Sequence, residues 1–251
     1  MPEYCGLQLL WPDHCPTDGF DLMNRASALA AGFADKVQHL AAAHGLWIVA
    51  GTIPERGPDG QLRNMCFIAS PAGELWRQPK CLMTAWERDF GVVGGDELLV
   101  FLMGDLRFAV AICYDVEVPE LARQAGAAGA ELLFVPSFTE AHWGSRRVDR
   151  CAAGIAESSQ MVVATAALAG SLPLVELDAT CARSVILSPS HPGFPRDGCY
   201  VRAAEDQDDL LIADIDLGLL RRVRAGADVN PLRDAPRGAR VRCRVVTGGP
   251  T

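Results

Sequence analysis

The stretch Arg107-Phe-Ala-Val-Ala-Ile-Cys113-Tyr-Asp-Val-Glu-Val-Pro119-Glu120 constrains the fold of this chain more than any other. Phe108 to Ile112 is a short apolar run and reads as a buried strand. Pro119 and Glu120, followed by a segment rich in Leu and Ala, mark a helix start, because proline suits the first helical turn and an acid suits its positive end. A strand running into a helix in this way is the repeating unit of an α/β fold. Cys113 then stands at the strand exit, facing a helix, where open α/β sheets place their chemistry. A helix dipole and a nearby cation would ease loss of its proton. A buried structural cysteine fits the same spacing, since Cys is among the most buried residue types.

The remaining sequence is expected to form a single α/β domain over residues 1–251, with no Pro/Gly/Ser-rich linker and no block of charge to divide it. Its 23 basic and 31 acidic residues give a net charge of −8, and the basic residues do not cluster beyond pairs such as Arg146-Arg147 and Arg221-Arg222. That balance argues against a nucleic-acid or anionic-membrane partner. Apolar runs such as Met161 to Ala167 are too short to span a bilayer, and the N-terminus lacks the basic head and apolar centre of a signal peptide, so a cytoplasmic location is expected. The nine cysteines contain no Cys-x-x-Cys pair and the five histidines no His-Glu-x-x-His, which favours reduced thiols and no metal site. A Rossmann fingerprint and a P-loop are also missing, so no cofactor is expected.

Residues 21 to 44 carry apolar positions at helical spacing and end at His44-Gly45, a suitable C-cap. Strands are predicted at Leu46 to Ala50, Asn64 to Ala69 and Leu75 to Lys80, with turns at Pro58-Asp-Gly60 and Ser70-Pro-Ala-Gly73 between them. Gly104-Asp105 predicts a hairpin turn into the Cys113 strand. Leu121 to Ala130 predicts a helix, Leu132 to Pro136 a buried strand, Arg146 to Gln160 a helix and Met161 to Ala167 a strand.

Cys113-Tyr-Asp-x-x-x-Pro-Glu120 at the end of an apolar strand resembles the nucleophile motif of the nitrilase, or carbon–nitrogen hydrolase, superfamily. The resemblance implies a four-layer αββα sandwich whose site combines a Cys, a Lys and one or two Glu. Lys80, in Gln78-Pro-Lys80-Cys-Leu82, matches the family lysine, although Cys81 replaces the more usual His. Glu87 lies close to where several amidase branches place a second glutamate. Met1-Pro-Glu3-Tyr matches the segment that ends in the general-base glutamate. Family members carry a strand, a helix and a second strand before that residue, roughly 35 to 45 residues by the size of a βαβ unit. Only two residues precede Glu3 here, so the resemblance predicts an N-terminally truncated sandwich. It continues through Arg150 and Ala156-Glu157, Arg183 to Pro189, a last strand at Ile212 to Leu217 and a helix around Leu220 to Arg224. Gly193 to Gly198 and Asn230 to Asp234 are similar to a bacterial branch whose members are sometimes fused to an acetyltransferase domain.

By this resemblance Cys113 is the nucleophile, Glu3 the base, Lys80 with the Tyr114 backbone N–H the oxyanion donor, and Glu87 the group that holds Lys80 and helps to shuttle protons. Tyr114, Ser137, Phe138, His142 and Trp143 are the candidate substrate contacts, and the partner is a small amide or N-carbamoyl amine. A homodimer is the family default. Nitrile hydrolysis or soluble acyl transfer would use the same Cys, while a Glu3 tethered to nothing would leave a non-catalytic binding protein.

Overall fold

The computed structural model describes residues 1–10, 16, 18–171, 180–242 and 244–245. Helix α1, Gly19–His44, is capped by the Asp18 side chain, which accepts from Asp21 N, and ends at Gly45 with φ 65°. Its buried stripe of Leu22, Ala26, Ala30, Ala34, Val37 and Ala41 repeats every three or four residues, so one face packs while the other meets water. That stripe lies on an antiparallel sheet of β1 (Ile48–Arg56), β2 (Leu62–Ala69) and β3 (Leu75–Pro79), in that order. The short helix α2, Ala85–Asp89, follows.

The second sheet has the order β4 (Val100–Met103), β5 (Leu106–Val110), β6 (Leu132–Ser137), β7 (Val162–Ala167), β8 (Val185–Leu187), β9 (Cys199–Arg202). Its β5, β6 and β7 run parallel, which requires crossovers, and helices α3 (Pro119–Ala127) and α4 (His142–Ser158) supply them. These strands form near-continuous apolar runs because both faces are covered. Between the sheets runs an aromatic column: Trp47 stacks on Trp76 at 5.5 Å, Trp76 meets Phe101 at 5.9 Å, Phe101 stacks on Phe108 at 5.1 Å, and Phe108 meets Phe134 at 5.5 Å. The layers are therefore helix, sheet, sheet, helix. Helix α5 (Leu217–Gly226) is tied to the second sheet by Arg221, whose guanidinium lies 2.6 Å from Glu131 and 2.7 Å from Asp105. Helix α6, Pro231–Gly238, is the last helix among the described residues.

Beyond shifts of two or three residues at element ends, the elements differ from the sequence expectations at four places. The strand expected at residues 46–50 starts at Ile48 and continues through Gly51 to Arg56, with its register shifting between Val49 and Thr52; Leu46 is exposed. A 3-10 turn, Cys113–Glu117, separates the strand of the motif from its helix. Helix α4 begins at His142 rather than Arg146. Residues 212–216 form no strand: Ile212 is 76% exposed, and local apolar character makes a strand only where a neighbour takes up its backbone groups. The seven described cysteines are free thiols, while Cys15 and Cys243 lie outside the described residues.

Candidate active site

Residues 1–4 lie along β1. The Met1 amine donates to Val49 O at 2.9 Å, Thr52 N donates to Pro2 O at 3.2 Å, and Tyr4 N donates to Thr52 Oγ1 at 2.7 Å. Gly51 makes this approach feasible. Its φ is 70°, and a Cβ there would stand 2.1 Å from Pro2 O. The terminal segment is thereby pressed into the fold, and Glu3 is 1% exposed instead of frayed.

Lys80 follows β3, and its backbone N–H donates to Asn64 O at 2.9 Å, which extends the pairing with β2. Its ammonium lies 2.8 Å from Glu3 Oε1 and 2.7 Å from Glu87 Oε2, with all three side chains 1% exposed. Glu87 is placed by a capping box: Thr84 N and Oγ1 donate to Glu87 Oε2 at 2.9 and 3.0 Å, and Glu87 N donates to Thr84 Oγ1 at 3.3 Å. Asn64 Nδ2 bridges the two carboxylates, donating to Glu3 Oε1 at 2.8 Å and Glu87 Oε1 at 3.0 Å. Tyr4 OH donates to Glu87 Oε1 at 3.0 Å.

The second sheet completes the site. Phe138 N donates to Glu3 Oε2 at 2.9 Å, and the Cys113 thiol donates to Phe138 O at 3.3 Å, so the backbone of one residue after β6 holds both the carboxylate and the thiol. Cys113 has φ 47°, in the left-handed region that a side chain seldom adopts. The Glu3 carboxylate also acts on this thiol electrostatically.

Burial and the adjacent Glu3 charge push the Cys113 thiol well above its ordinary range, against the opposing pull of Lys80. The easier ionisation expected from a helix dipole and a cation is therefore reversed; the next helix starts only at Pro119. Burial raises Glu3 as well, more than Lys80 lowers it. Glu87 is pushed up by burial too, but Lys80, Thr84 and Asn64 outweigh that and hold it below the usual carboxylate range. Burial works against the Lys80 charge, yet the Glu3 and Glu87 carboxylates keep it an ammonium.

A cavity of about 220 Å³ opens over these groups, with Tyr4, Trp86 and Phe138 as aromatic walls. Tyr114, Thr139 and Trp143 also line it, and Glu117, Glu140 and Arg147 stand toward the mouth, where Arg147 Nε lies 2.8 Å from Glu117 Oε2. Such a volume suits a small molecule.

Glu3, Lys80, Glu87 and Cys113, distant in sequence, thus meet at one cavity floor. Of the candidate substrate contacts, Tyr114, Phe138 and Trp143 line the cavity and Ser137 and His142 do not. Ser137 ends β6, buried in the sheet with its carbonyl accepting from Leu168 N. His142 opens α4 on its exposed side. Tyr4, Asn64, Thr84 and Trp86 were not among the expected site residues. The Thr84-Ala-Trp-Glu87 capping-box pattern was the one local signal that pointed to any of them. Among the described residues, no cluster of His, Cys, Asp and Glu is arranged to hold a metal, and no helix is long and apolar enough to cross a membrane.

Residues 18–225 match the sequence profile of the carbon-nitrogen hydrolase family. The chain is 35% identical to "Probable hydrolase YhcX" of Bacillus subtilis over 71% of its own length and 35% of that protein's. It is 25% identical to "Omega-amidase NIT2" of Xenopus tropicalis over 76% of this chain and 68% of that one. The chain thus spans about a third of the Bacillus protein and about two thirds of the Xenopus one. In fold it resembles the amidase from Nesterenkonia sp. AN1, with a TM-score of 0.65 at 24% identity, covering 81% of this chain and 77% of that one. That structure carries acrylamide added at the amidase's active-site cysteine.

Proposed function

As the chain belongs to the carbon-nitrogen hydrolase family, we propose that it hydrolyses a small amide or N-carbamoyl amine through a thioester on Cys113. The observation that carries this reading is the convergence of Cys113, Lys80 and Glu3 on one cavity floor, the ammonium 2.8 Å from the carboxylate that neighbours the thiol.

Glu3 is the base. It neighbours the thiol and its carboxyl is raised, whereas Glu87 is depressed and already accepts from Lys80, Asn64, Tyr4 and Thr84. Glu87 therefore holds Lys80 and does not exchange protons with substrate. As the amide enters, Glu3 takes the thiol proton and Cys113 Sγ bonds to the carbonyl carbon. The resulting oxyanion accepts from Lys80 Nζ and the Tyr114 N–H; one such donor typically accounts for on the order of 100-fold or more in rate. The C–N bond then breaks and Glu3 returns the proton to the departing nitrogen, releasing ammonia or an amine. Water, deprotonated by Glu3, next attacks the thioester, which releases the acid and restores the thiol. Because the free thiol is neutral, its proton must leave within each turnover, which suits a carboxylate poised beside it.

The test is ammonia release from a panel of small amides, ω-amides, N-carbamoyl amines and nitriles, with the acyl-enzyme followed by intact mass. One member of the amide or carbamoyl set is expected to turn over and to add its acyl mass to Cys113. Cys113→Ala should remain folded and fall to the uncatalysed rate. A fully active Cys113→Ala overturns the mechanism, and turnover of nitriles alone moves the assignment to a nitrilase.

A further inference from the structure

Asp115 takes no part in the steps above, yet it is 1% exposed and sits two residues after Cys113 in the 3-10 turn. Its carboxylate accepts three backbone N–H groups: Leu82 N at 2.7 Å on Oδ1, and Ile112 N at 3.0 Å and Cys81 N at 3.2 Å on Oδ2. Cys81 and Leu82 directly follow Lys80, and Ile112 directly precedes Cys113. The lysine leaves one sheet and the cysteine the other, so a single side chain ties together the two loops that carry the reacting groups. Asp115 N also donates to Ile112 O at 3.0 Å, which closes the turn around the left-handed Cys113 from both sides.

We propose that Asp115 is a positioning residue that sets the Lys80 ammonium against the Cys113 sulfur by clamping these two loops. The proposal rests on the reading of Cys113 as nucleophile and Lys80 as oxyanion donor. A carboxylate is needed here for a geometric reason. All three groups facing it are donors, and an Asn amide, whichever way it is turned, would aim its own NH2 at one or more of them. Burial pushes the Asp115 carboxyl up to about 6, which still leaves it mainly ionised at neutral pH.

Asp115→Asn is the test, read as kcat and KM for the amide that the wild type turns over. Ile155→Ala, in the buried face of α4 and outside the site, serves as a control for a loss of stability alone. The clamp acts on the geometry of the reaction and not on the cavity walls, so kcat is expected to fall about 100-fold and KM to stay within about threefold of wild type, the split that mispositioned groups produce. Ile155→Ala, assayed at the same margin below its melting temperature, should keep its kcat. Equal kcat losses in the two variants, or a wild-type kcat in Asp115→Asn, overturn the proposal. If Asp115→Asn does not fold, Asp115→Glu decides: it keeps the charge and adds a methylene, and is expected to fold and lose at least about tenfold in kcat, and a wild-type kcat overturns the clamp. Should the wild type turn over nothing in the panel, the functional reading fails separately. The rate of Cys113 alkylation by acrylamide, followed by intact mass, then judges the clamp: slowing in Asp115→Asn supports it and an unchanged rate refutes it.

Discussion

Replacing Lys80 with Met tests whether the site is held by one buried cation between two carboxylates. Met approximates the lysine stem and removes only the ammonium. What remains is Glu3 and Glu87, each 1% exposed, with only neutral donors: the Asn64 amide shared between them, Phe138 N on Glu3, and Tyr4 and Thr84 on Glu87. Breaking a buried ion pair by removing one partner costs about 3–5 kcal/mol, because the other charge stays buried without compensation. The variant can escape by taking up protons. In it, burial and mutual repulsion both raise the two carboxyl groups above their unfolded values, so at mildly acidic pH the native state binds more protons than the unfolded state. Stability then increases as pH falls. One proton held across the interval from pH 7.5 to 5.5 returns at most about 2.7 kcal/mol. In the wild type the Glu87 contribution has the opposite sign: its carboxyl is depressed, so its stabilisation is present above the unfolded value and is lost as pH falls through the folded one. Urea unfolding of both proteins at pH 7.5 and 5.5 is the assay. The expected result is a deficit of about 3–5 kcal/mol at pH 7.5 that narrows at pH 5.5. No deficit at pH 7.5, or one that widens at pH 5.5, would refute the reasoning. With Lys80 as the proposed oxyanion donor, the same variant should lose on the order of 100-fold or more in kcat.

Two further perturbations address the way the site is assembled. Glu3→Gln removes the proposed base and keeps its shape, and kcat is expected to fall by on the order of 100- to 10,000-fold; because burial raises Glu3, the acid limb of the wild-type pH–rate profile should lie above the ordinary carboxylate range, and the same limb persisting in Glu3→Gln would exclude Glu3 as its source. Gly51→Ala would place a Cβ 2.1 Å from Pro2 O and 2.7 Å from Cys5 Sγ on a backbone with φ 70°. This should displace Glu3, with a drop in melting temperature and a kcat loss on the order of 100-fold, whereas wild-type kinetics would show that the terminal segment is not what positions the base.

Much of the frame was legible from local sequence. Helix α1 follows from its apolar spacing and ends at Gly45 as its cap predicts. Strands β2, β3, β6 and β7 lie where short apolar runs between turn residues place them. The resemblance of Cys113-Tyr-Asp to a known motif brought Glu3, Lys80 and Glu87 into view. Glu3 itself has no periodicity around it and would read alone as a terminal acid. Misplaced boundaries have a common cause. The strand read at residues 46–50 shifts because Gly51 permits a bulge that apolar content does not encode, and residues 212–216 have strand-like content with no partner among the described residues. Ser137 and His142 belong to the expected segment but lie off the cavity, because neighbouring residues at a strand end and at a helix start point in different directions.

The sequence by itself determined the ionisable groups at the cavity and the elements that carry them: a thiol after one strand, an ammonium after another, a carboxylate fixed by a local helix cap. Only the tertiary structure decided their distances, their shared network and their protonation. Asn64 lies far along the chain from Glu3 yet bridges it to Glu87, Tyr4 reaches Glu87, and Asp115 spans two sheets. The thiol shifted opposite to its motif-level expectation because burial and a neighbouring carboxylate are properties of three-dimensional packing. Spacing along a chain reports which residues share a face of one helix or strand, while solvent exclusion and charge–charge distance depend on which faces meet.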